Sequence, residues 1–190
     1  MDETPWLVTW TTYGSWLPGD PRGFRTFRGM EYVPPPARYA KDGEPIYDPK
    51  DYSDRYARAK EFVPVSVRLN SEEQKIVCQA FVEELALLQI PADILAVGFV
   101  HMHLIARFGH HWIRPTAGRL KSAATRAIPN PSNRKRIWTR NCHMESLPNQ
   151  EDLHQATIYV RRHRDEGALI WNSQAARPWG AAQLISIKNR

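Results

Sequence analysis

The sequence contains little cysteine and no long hydrophobic run. Its 190 residues include two cysteines, Cys78 and Cys142, and no CxxC pair, so it predicts neither a disulfide framework nor a thiolate zinc site. The longest apolar run, residues 94–100, is far shorter than the roughly 18 residues that cross a bilayer. The first three residues, Met-Asp-Glu, lack the positive charge of a secretory signal. We therefore expect no membrane partner and a reducing, cytoplasmic location.

Length and composition predict one folded domain over residues 1–190, because domains average roughly 150 residues. Hydrophobic residues make up 42% and charged residues 24%, which is the usual globular balance. Prolines accumulate in residues 18–64, and this excludes a continuous helix or central strand there. We interpret this segment as an insertion or arm, in which alternating arginines and aromatic residues could either hold an unpaired nucleic-acid strand or pack on the domain.

Positive charge is concentrated in the second half of the chain. The 26 Lys and Arg residues exceed the 20 Asp and Glu residues, for a net charge of +6. Residues 1–109 carry 12 basic and 15 acidic side chains, whereas residues 110–190 carry 14 and 5. Such a surface favours a polyanionic partner, and nucleic acid is the foremost candidate. The alternative is a solvated basic surface that only aids solubility.

The order of predicted elements indicates the fold class. A first strand is predicted at residues 6–16, and a helix at residues 71–90 in which Ser71 and Gln74 have capping-box spacing. The remaining predicted elements are strands at 94–100, 101–108 and 137–147, and helices at 115–128 and 149–166, the last capped by Gly167. This order predicts an α+β fold of the ferredoxin-like, split βαβ kind, with an antiparallel sheet and an added C-terminal helix. Residues 170–190 are too irregular to assign.

Two histidines separated by one residue lie on the third predicted strand. Side chains alternate between the faces of a strand, so His101 and His103 project to one face while Met102 and Leu104 project to the other. Two imidazoles on one face can share a divalent metal. Alone, however, the pattern also fits two hydrogen-bonded structural histidines.

The final predicted helix adds two further candidates. Tyr159 and His163 are four residues apart and therefore share a helix face. Leu153, Ala156 and Val160 form a different, apolar face that would dock on the domain. Tyr159 and His163 would then meet His101 and His103 across the sheet, so that three nitrogen ligands and a phenol share one pocket. No role is assigned to Glu166, since a carboxylate near a helix end is usually solvated or ion-paired.

Several of these segments resemble those of a known family. They are residues 10–20, residues 94–104, Trp138 within residues 137–140, and residues 159–163 together with 166–168. The sequence resembles the single-tyrosine HUH transposases, particularly the REP-associated tyrosine transposases or insertion-sequence-200-like proteins. The insertion at residues 18–64 is long for a minimal member of that family.

The resemblance implies a ferredoxin-like HUH core and an enzyme that nicks and joins single-stranded or hairpin DNA with Mg²⁺ or Mn²⁺. It also implies a 5′-phosphotyrosine intermediate at Tyr159, metal ligation by His101 and His103, and a homodimer. The third ligand of such proteins comes from the tyrosine helix and is often Gln or Asn. Here His163 occupies that position, and imidazole favours later transition metals over hard oxygen-seeking ions.

The candidate DNA contacts are basic residues of the second half of the chain. They are Lys121, Arg126, Arg134, Lys135, Arg136, Arg140, Arg161 and Arg162. Arg161 and Arg162 follow the proposed nucleophile by two and three residues and could lower its pKa. Trp112, Trp138, Trp171 and Trp179 could stack on unpaired bases or could pack in the protein. Two other functions stay open, a non-catalytic DNA-binding relative and an unrelated ferredoxin-like metal-binding or regulatory protein.

Overall fold

The computed structural model describes residues 4–25, 32–33, 49–63, 65–129 and 136–173. The predicted DNA contacts Arg134 and Lys135, together with Trp179 and most of the irregular tail, lie outside these ranges. Within them the chain is α+β, with a five-stranded antiparallel sheet, a two-stranded sheet and four helices. None of these helices is long and apolar enough to span a bilayer.

Eleven elements follow one another along the described chain. They are β1 (Trp6–Thr11), β2 (Phe24–Arg25), β3 (Tyr32–Val33), α1 (Pro49–Phe62), α2 (Ser71–Leu87), β4 (Ala92–Val97), β5 (His101–Ala106), α3 (Ile113–Ala127), β6 (His143–Ser146), α4 (Gln150–Arg162) and β7 (Leu169–Asn172). The large sheet has the strand order β6-β1-β5-β4-β7, and each neighbouring pair is antiparallel. Strands β6, β1, β5 and β4 lie side by side in the order of a split βαβ sheet, and β7 extends the sheet beside β4.

Some predicted boundaries were wrong. The first strand, predicted at residues 6–16, ends at Thr11. The fourth strand, predicted at residues 137–147, covers only His143–Ser146. Before it, Trp138 pairs with Thr12 as an isolated bridge instead of continuing the ladder. The capping box of α2 begins one residue earlier than predicted. Asn70 accepts from the backbone N–H of Glu73, whose carboxylate accepts from the backbone N–H of Asn70.

The insertion contains regular structure that the proline count concealed. Helix α1 occupies the stretch between Pro49 and Pro64, in which no proline occurs. Proline is tolerated at the first helical position because its missing N–H would have no intrahelical partner there. The prolines therefore delimit a helix of 14 residues, and no helix runs through the whole segment.

One face of the large sheet forms the main core. Val8 and Trp10 of β1 and Met102 and Leu104 of β5 are all at most 2% exposed on this face. Helices α2 and α3 cover them, and the rings of Phe81 and Trp10 form a T-shaped pair with centroids 5.4 Å apart. Fully burying each such side chain contributes roughly 1.5–3 kcal/mol, so this face anchors the fold.

The buried face of α3 also carries a charged residue. Lys121 is 7% exposed, and its ammonium group donates to the backbone carbonyls of Thr139 and Asn141 at 3.0 Å and lies 3.5 Å from that of Arg140. Burial lowers the pKa of Lys121 to about 8. The Lys121 carbonyl accepts from the indole N–H of Trp138. Lys121 thus ties the irregular segment before β6 to α3, and a phosphate contact would require these bonds to break.

Replacing Lys121 should therefore affect folding before it affects DNA binding. We expect Lys121→Met to lower the free energy of unfolding by about 1–3 kcal/mol, because the carbonyls lose their donor. Arg126→Met, at an exposed position of the same helix, should change it by less than about 0.5 kcal/mol. Urea denaturation of the two variants measures the difference. Equal stability of Lys121→Met and the parent protein would contradict this role.

Candidate active site

The second face of the sheet carries the two strand histidines. On β5, His103 and Ile105 lie on this face because Met102 and Leu104 occupy the other. The turn that leads into β5 is tight. A side chain at Gly98 would come within 2.9 Å of the His101 carbonyl oxygen, which accepts from the Gly98 N–H. Glycine thus permits the close turn that begins β5 at His101.

Helix α4 lies over the same face. Ala156 and Val160 are buried against Ile94, Ala96 and Ile105 of the sheet. The Asn149 side chain caps the helix start, and Gly167, at a φ of 82°, reverses the chain after the helix so that it can enter β7. The helix therefore docks through the apolar face that the sequence predicted.

This docking brings the three predicted metal ligands together. The His103 and His163 rings are stacked with centroids 4.3 Å apart, and His101 lies 4.6 Å from His163 and 5.1 Å from His103. One potential ligand atom from each histidine lies within 4.8 Å of the other two. The three residues come from one strand and from the end of one helix, so the spacing depends on the contact between them.

Hydrogen bonds orient two of these imidazoles. The Nδ1 atom of His103 lies 2.8 Å from Thr9 Oγ1, and the Nδ1 atom of His163 lies 3.0 Å from a carboxylate oxygen of Glu166. A carboxylate accepts, so Nδ1 of His163 donates to Glu166, and in the neutral imidazole this tautomer leaves the lone pair on Nε2. Among the described side chains, Nε2 of His101 and Nε2 of His163 are buried without a hydrogen-bond partner.

The cluster is electrostatically suited to bind a cation. Burial, with the neighbouring histidine charges, lowers the pKa of His103 to about 2. Burial also lowers the pKa of His101, as does His163, while Glu166 opposes the shift. Neutral imidazoles with free lone pairs are the form that binds metal. A divalent ion therefore fits the residues present, and their all-nitrogen character favours a later transition ion over Mg²⁺.

Tyr159 lies at the edge of this cluster. Its ring is 5.2 Å from that of His103 and 4.9 Å from that of His163, yet the residue is 47% exposed. Burial raises the pKa of the phenol, and the charges of Glu166 and Glu145 raise it further. Without a bound cation the phenol is therefore protonated at neutral pH.

The cluster opens into a cleft of about 1250 Å³, which the described residues leave over this face of the sheet. Arg114, Arg140, Glu145 and Tyr159 are among the residues that line it. Among the described elements, α4 has its main sheet contacts with β4 and β5, and the cleft lies beside it along Thr9 and Thr11 of β1 and residues 143–146 of β6. A flexible, extended ligand could therefore reach Tyr159 along the sheet.

The predicted DNA contacts are not gathered in one place. Arg140 lines the cleft, whereas Lys121 is enclosed by carbonyls. The other described members of the set are exposed and do not line the cleft; they are Arg126, Arg136, Arg161 and Arg162. The described tryptophans also separate, since Trp138 is buried, Trp171 is half-buried and Trp112 is exposed.

Two residues near the histidines were missed from the sequence. Thr9 is paired directly with His103 in the β1–β5 ladder, so only knowledge of the strand register reveals it. No role was predicted for Glu166, although it follows His163 by three residues and its carboxylate reaches that side chain across the turn at residues 163–167. A carboxylate oxygen of Glu166 also lies 3.9 Å from His101 Nε2.

Comparisons with known proteins give limited further information. No protein-family model and no curated protein matches the chain. A similar solved structure is described as "Structure of the REP associates tyrosine transposase bound to a REP hairpin". It is 11% identical, the match covers 88% of this chain and 70% of that chain, and the TM-score is 0.49. Such distant likeness does not assign an activity.

The Glu166 contact generates a prediction about metal affinity. We expect Glu166→Ala to weaken Mn²⁺ binding by about 10- to 100-fold, because the partner that orients a metal-binding histidine is lost. Glu166→Gln should lose less, since its amide oxygen can still accept from Nδ1. Glu151→Gln removes a charge from an exposed position of α4 and is the matched control. Isothermal titration calorimetry measures these affinities, and unchanged binding by Glu166→Ala would refute the role.

Proposed function

We propose that this protein is a transposase-type DNA endonuclease and strand transferase, of the single-tyrosine HUH kind that its sequence resembles. It nicks and rejoins single-stranded DNA through a 5′-phosphotyrosine at Tyr159, with a divalent metal held by His101, His103 and His163. In this proposal the split βαβ sheet is the HUH core, and α4 is the tyrosine helix.

The observation that carries the proposal is the position of Tyr159. A tyrosine that only packs on a domain is usually covered, but this residue is half-exposed at a cleft while its ring contacts His103 and His163. A structural histidine cluster has no need of an exposed phenol beside it. The combination supports nucleophilic chemistry on a ligand in the cleft.

The histidines supply a place for a divalent cation. When bound, such an ion polarises a phosphoryl oxygen and reduces the repulsion between an anionic nucleophile and an anionic substrate. His163 offers Nε2 because Glu166 accepts from its Nδ1. Thr9 fixes the ring of His103 from the neighbouring strand. Thr9 and Glu166 thus orient the imidazoles of His103 and His163 for metal binding.

The proposed reaction exchanges one phosphoester bond for another. The Tyr159 oxygen loses its proton to solvent and forms a bond to the phosphorus, while the bond from phosphorus to the 3′ oxygen breaks. That oxygen takes up a proton and leaves as a 3′-hydroxyl group, and the DNA stays attached to Tyr159 through its 5′ phosphate. Attack by a 3′-hydroxyl group reverses the step, so no external energy source is required.

In this proposal, substrate binding depends on two arginines of the cleft and on its shape. Arg140 and Arg114 line it and can contact phosphates near Tyr159. Arg126, Arg136, Arg161 and Arg162 would contact DNA outside the cleft. An active site on a sheet face requires the scissile phosphate to be separated from a regular duplex, which favours a single strand or the flank of a hairpin. A homodimer and a cytoplasmic location belong to the same proposal.

A non-catalytic DNA-binding relative is the second candidate. The raised pKa of Tyr159 favours it, because burial and the charges of Glu166 and Glu145 disfavour the phenolate. Under this alternative the basic surface binds DNA and the histidines are structural. Covalent chemistry at Tyr159 distinguishes the two functions.

Removing the phenol oxygen tests the nucleophile. We expect Tyr159→Phe to form no covalent adduct with single-stranded DNA in the presence of Mn²⁺, while its DNA affinity changes by less than about twofold, because the ring contacts remain. Tyr56→Phe on α1 is the matched control and should form the adduct. Denaturing gels with labelled oligonucleotides measure the adduct. Persistent cleavage by Tyr159→Phe would exclude Tyr159 as the nucleophile.

Metal removal tests the role of the histidines. A chelator should abolish adduct formation, and Mn²⁺ should restore it at a lower concentration than Mg²⁺, because three imidazoles favour the later ion. His163→Ala should require more Mn²⁺ than the parent protein. Titrating each metal against adduct yield measures this order. Full activity in excess chelator would refute a metal role for His101, His103 and His163.

A further inference from the structure

A second groove borders the proposed active-site cleft. It has a volume of about 1010 Å³ and lies at the end of the sheet where β1 begins and β5 ends. Trp6, His111, Trp112 and Arg114 are among its lining residues. Arg114 and Met144 line both this groove and the cleft, so the two cavities adjoin at these residues. We call this second cavity the Trp112 groove.

Trp112 is exposed although its backbone is anchored. The residue is 82% exposed at the N-terminus of α3. Its carbonyl accepts from the backbone N–H of Thr116 at 3.0 Å and from the Thr116 hydroxyl at 2.9 Å. The indole therefore projects from a fixed point and contributes little burial to the fold. A large aromatic surface held in this way is available for stacking.

The composition of the groove points to the class of ligand. None of its described lining residues is acidic, whereas the active-site cleft includes Glu145, Asp152 and Glu166. Arg114 supplies a positive charge between the two cavities. The His110 and His111 rings, 4.2 Å apart, add flat surface on the loop that leads to Trp112. Aromatic faces beside a cation are the combination that binds unpaired nucleotides.

We propose that the Trp112 groove binds unpaired bases of the single strand that enters the active-site cleft. One or two bases stack on Trp112 and the exposed part of Trp6, while Arg114 contacts the phosphate between groove and cleft. The inference rests on the proposed DNA substrate. It adds a base-stacking subsite that the proposed phosphoester chemistry does not require.

The experiment measures binding apart from catalysis. Fluorescence anisotropy of labelled single-stranded oligonucleotides in the Tyr159→Phe protein gives affinity without turnover. We expect a further Trp112→Ala change to weaken binding by about 5- to 100-fold, the range that loss of base stacking on an aromatic residue produces. Trp112→Phe should recover much of the affinity. Phe62→Ala, which removes an equally exposed aromatic ring from α1, should have no effect.

Oligonucleotides with single abasic positions locate the stacked bases. Removing one or two particular bases should weaken binding to the Trp112 protein and should have no further effect once Trp112 is alanine. Identical abasic profiles for the two proteins would overturn the proposal. The proposal would also be overturned if Trp112→Ala changed the oligomeric state, measured by light scattering, and left the DNA affinity unchanged. Trp112 would then be a contact between protein molecules.

The same variants separate this inference from the proposed function. Trp112→Ala in the protein that retains Tyr159 should still form the covalent adduct at saturating DNA. A Trp112-dependent affinity without any adduct supports the groove and refutes the nucleophile. Adduct formation in a protein whose DNA affinity does not depend on Trp112 supports the nucleophile and refutes the groove. An absence of single-strand binding by every variant overturns both.

Discussion

The packing of α4 on the sheet is the contact on which the candidate site depends. Ala156 and Val160 are buried against Ile94, Ala96 and Ile105, and complete burial of a valine contributes roughly 1.5–3 kcal/mol. A helix turns roughly 100° per residue, so a shift of one residue along α4 would rotate Tyr159 and His163 away from His103. The apolar contact thus sets the geometry of a polar site in which it takes no chemical part.

The same burial prepares the histidines for a metal. Removing imidazoles from water disfavours their charged forms, which is why the pKa of His103 falls to about 2. Neutral rings then present nitrogen lone pairs, and Thr9 and Glu166 fix the orientation of two of them. Buried nitrogen atoms without partners are unfavourable in the isolated protein. A bound cation would relieve that cost and would also offset the charges that raise the pKa of Tyr159.

Much of this arrangement can be predicted from the two-residue period of a strand and the spacing of residues along a helix. Alternation on β5 predicts that His101 and His103 share a face, and a spacing of four residues predicts that Tyr159 and His163 share a face of the last predicted helix. Contacts between segments that are distant in the sequence cannot be predicted from local patterns. Thr9 meets His103 through strand register, and the enclosure of Lys121 depends on where residues 139–141 pass over α3. A short edge strand such as β7 has too few residues for its alternation to show.

The most direct test of Tyr159 as the nucleophile is mass spectrometry of the protein after incubation with Mn²⁺ and single-stranded DNA, followed by nuclease and protease digestion. We expect one peptide from α4 that carries a 5′-linked nucleotide on Tyr159. A nucleotide attached to any other residue, or strand cleavage with no attached nucleotide, would contradict it.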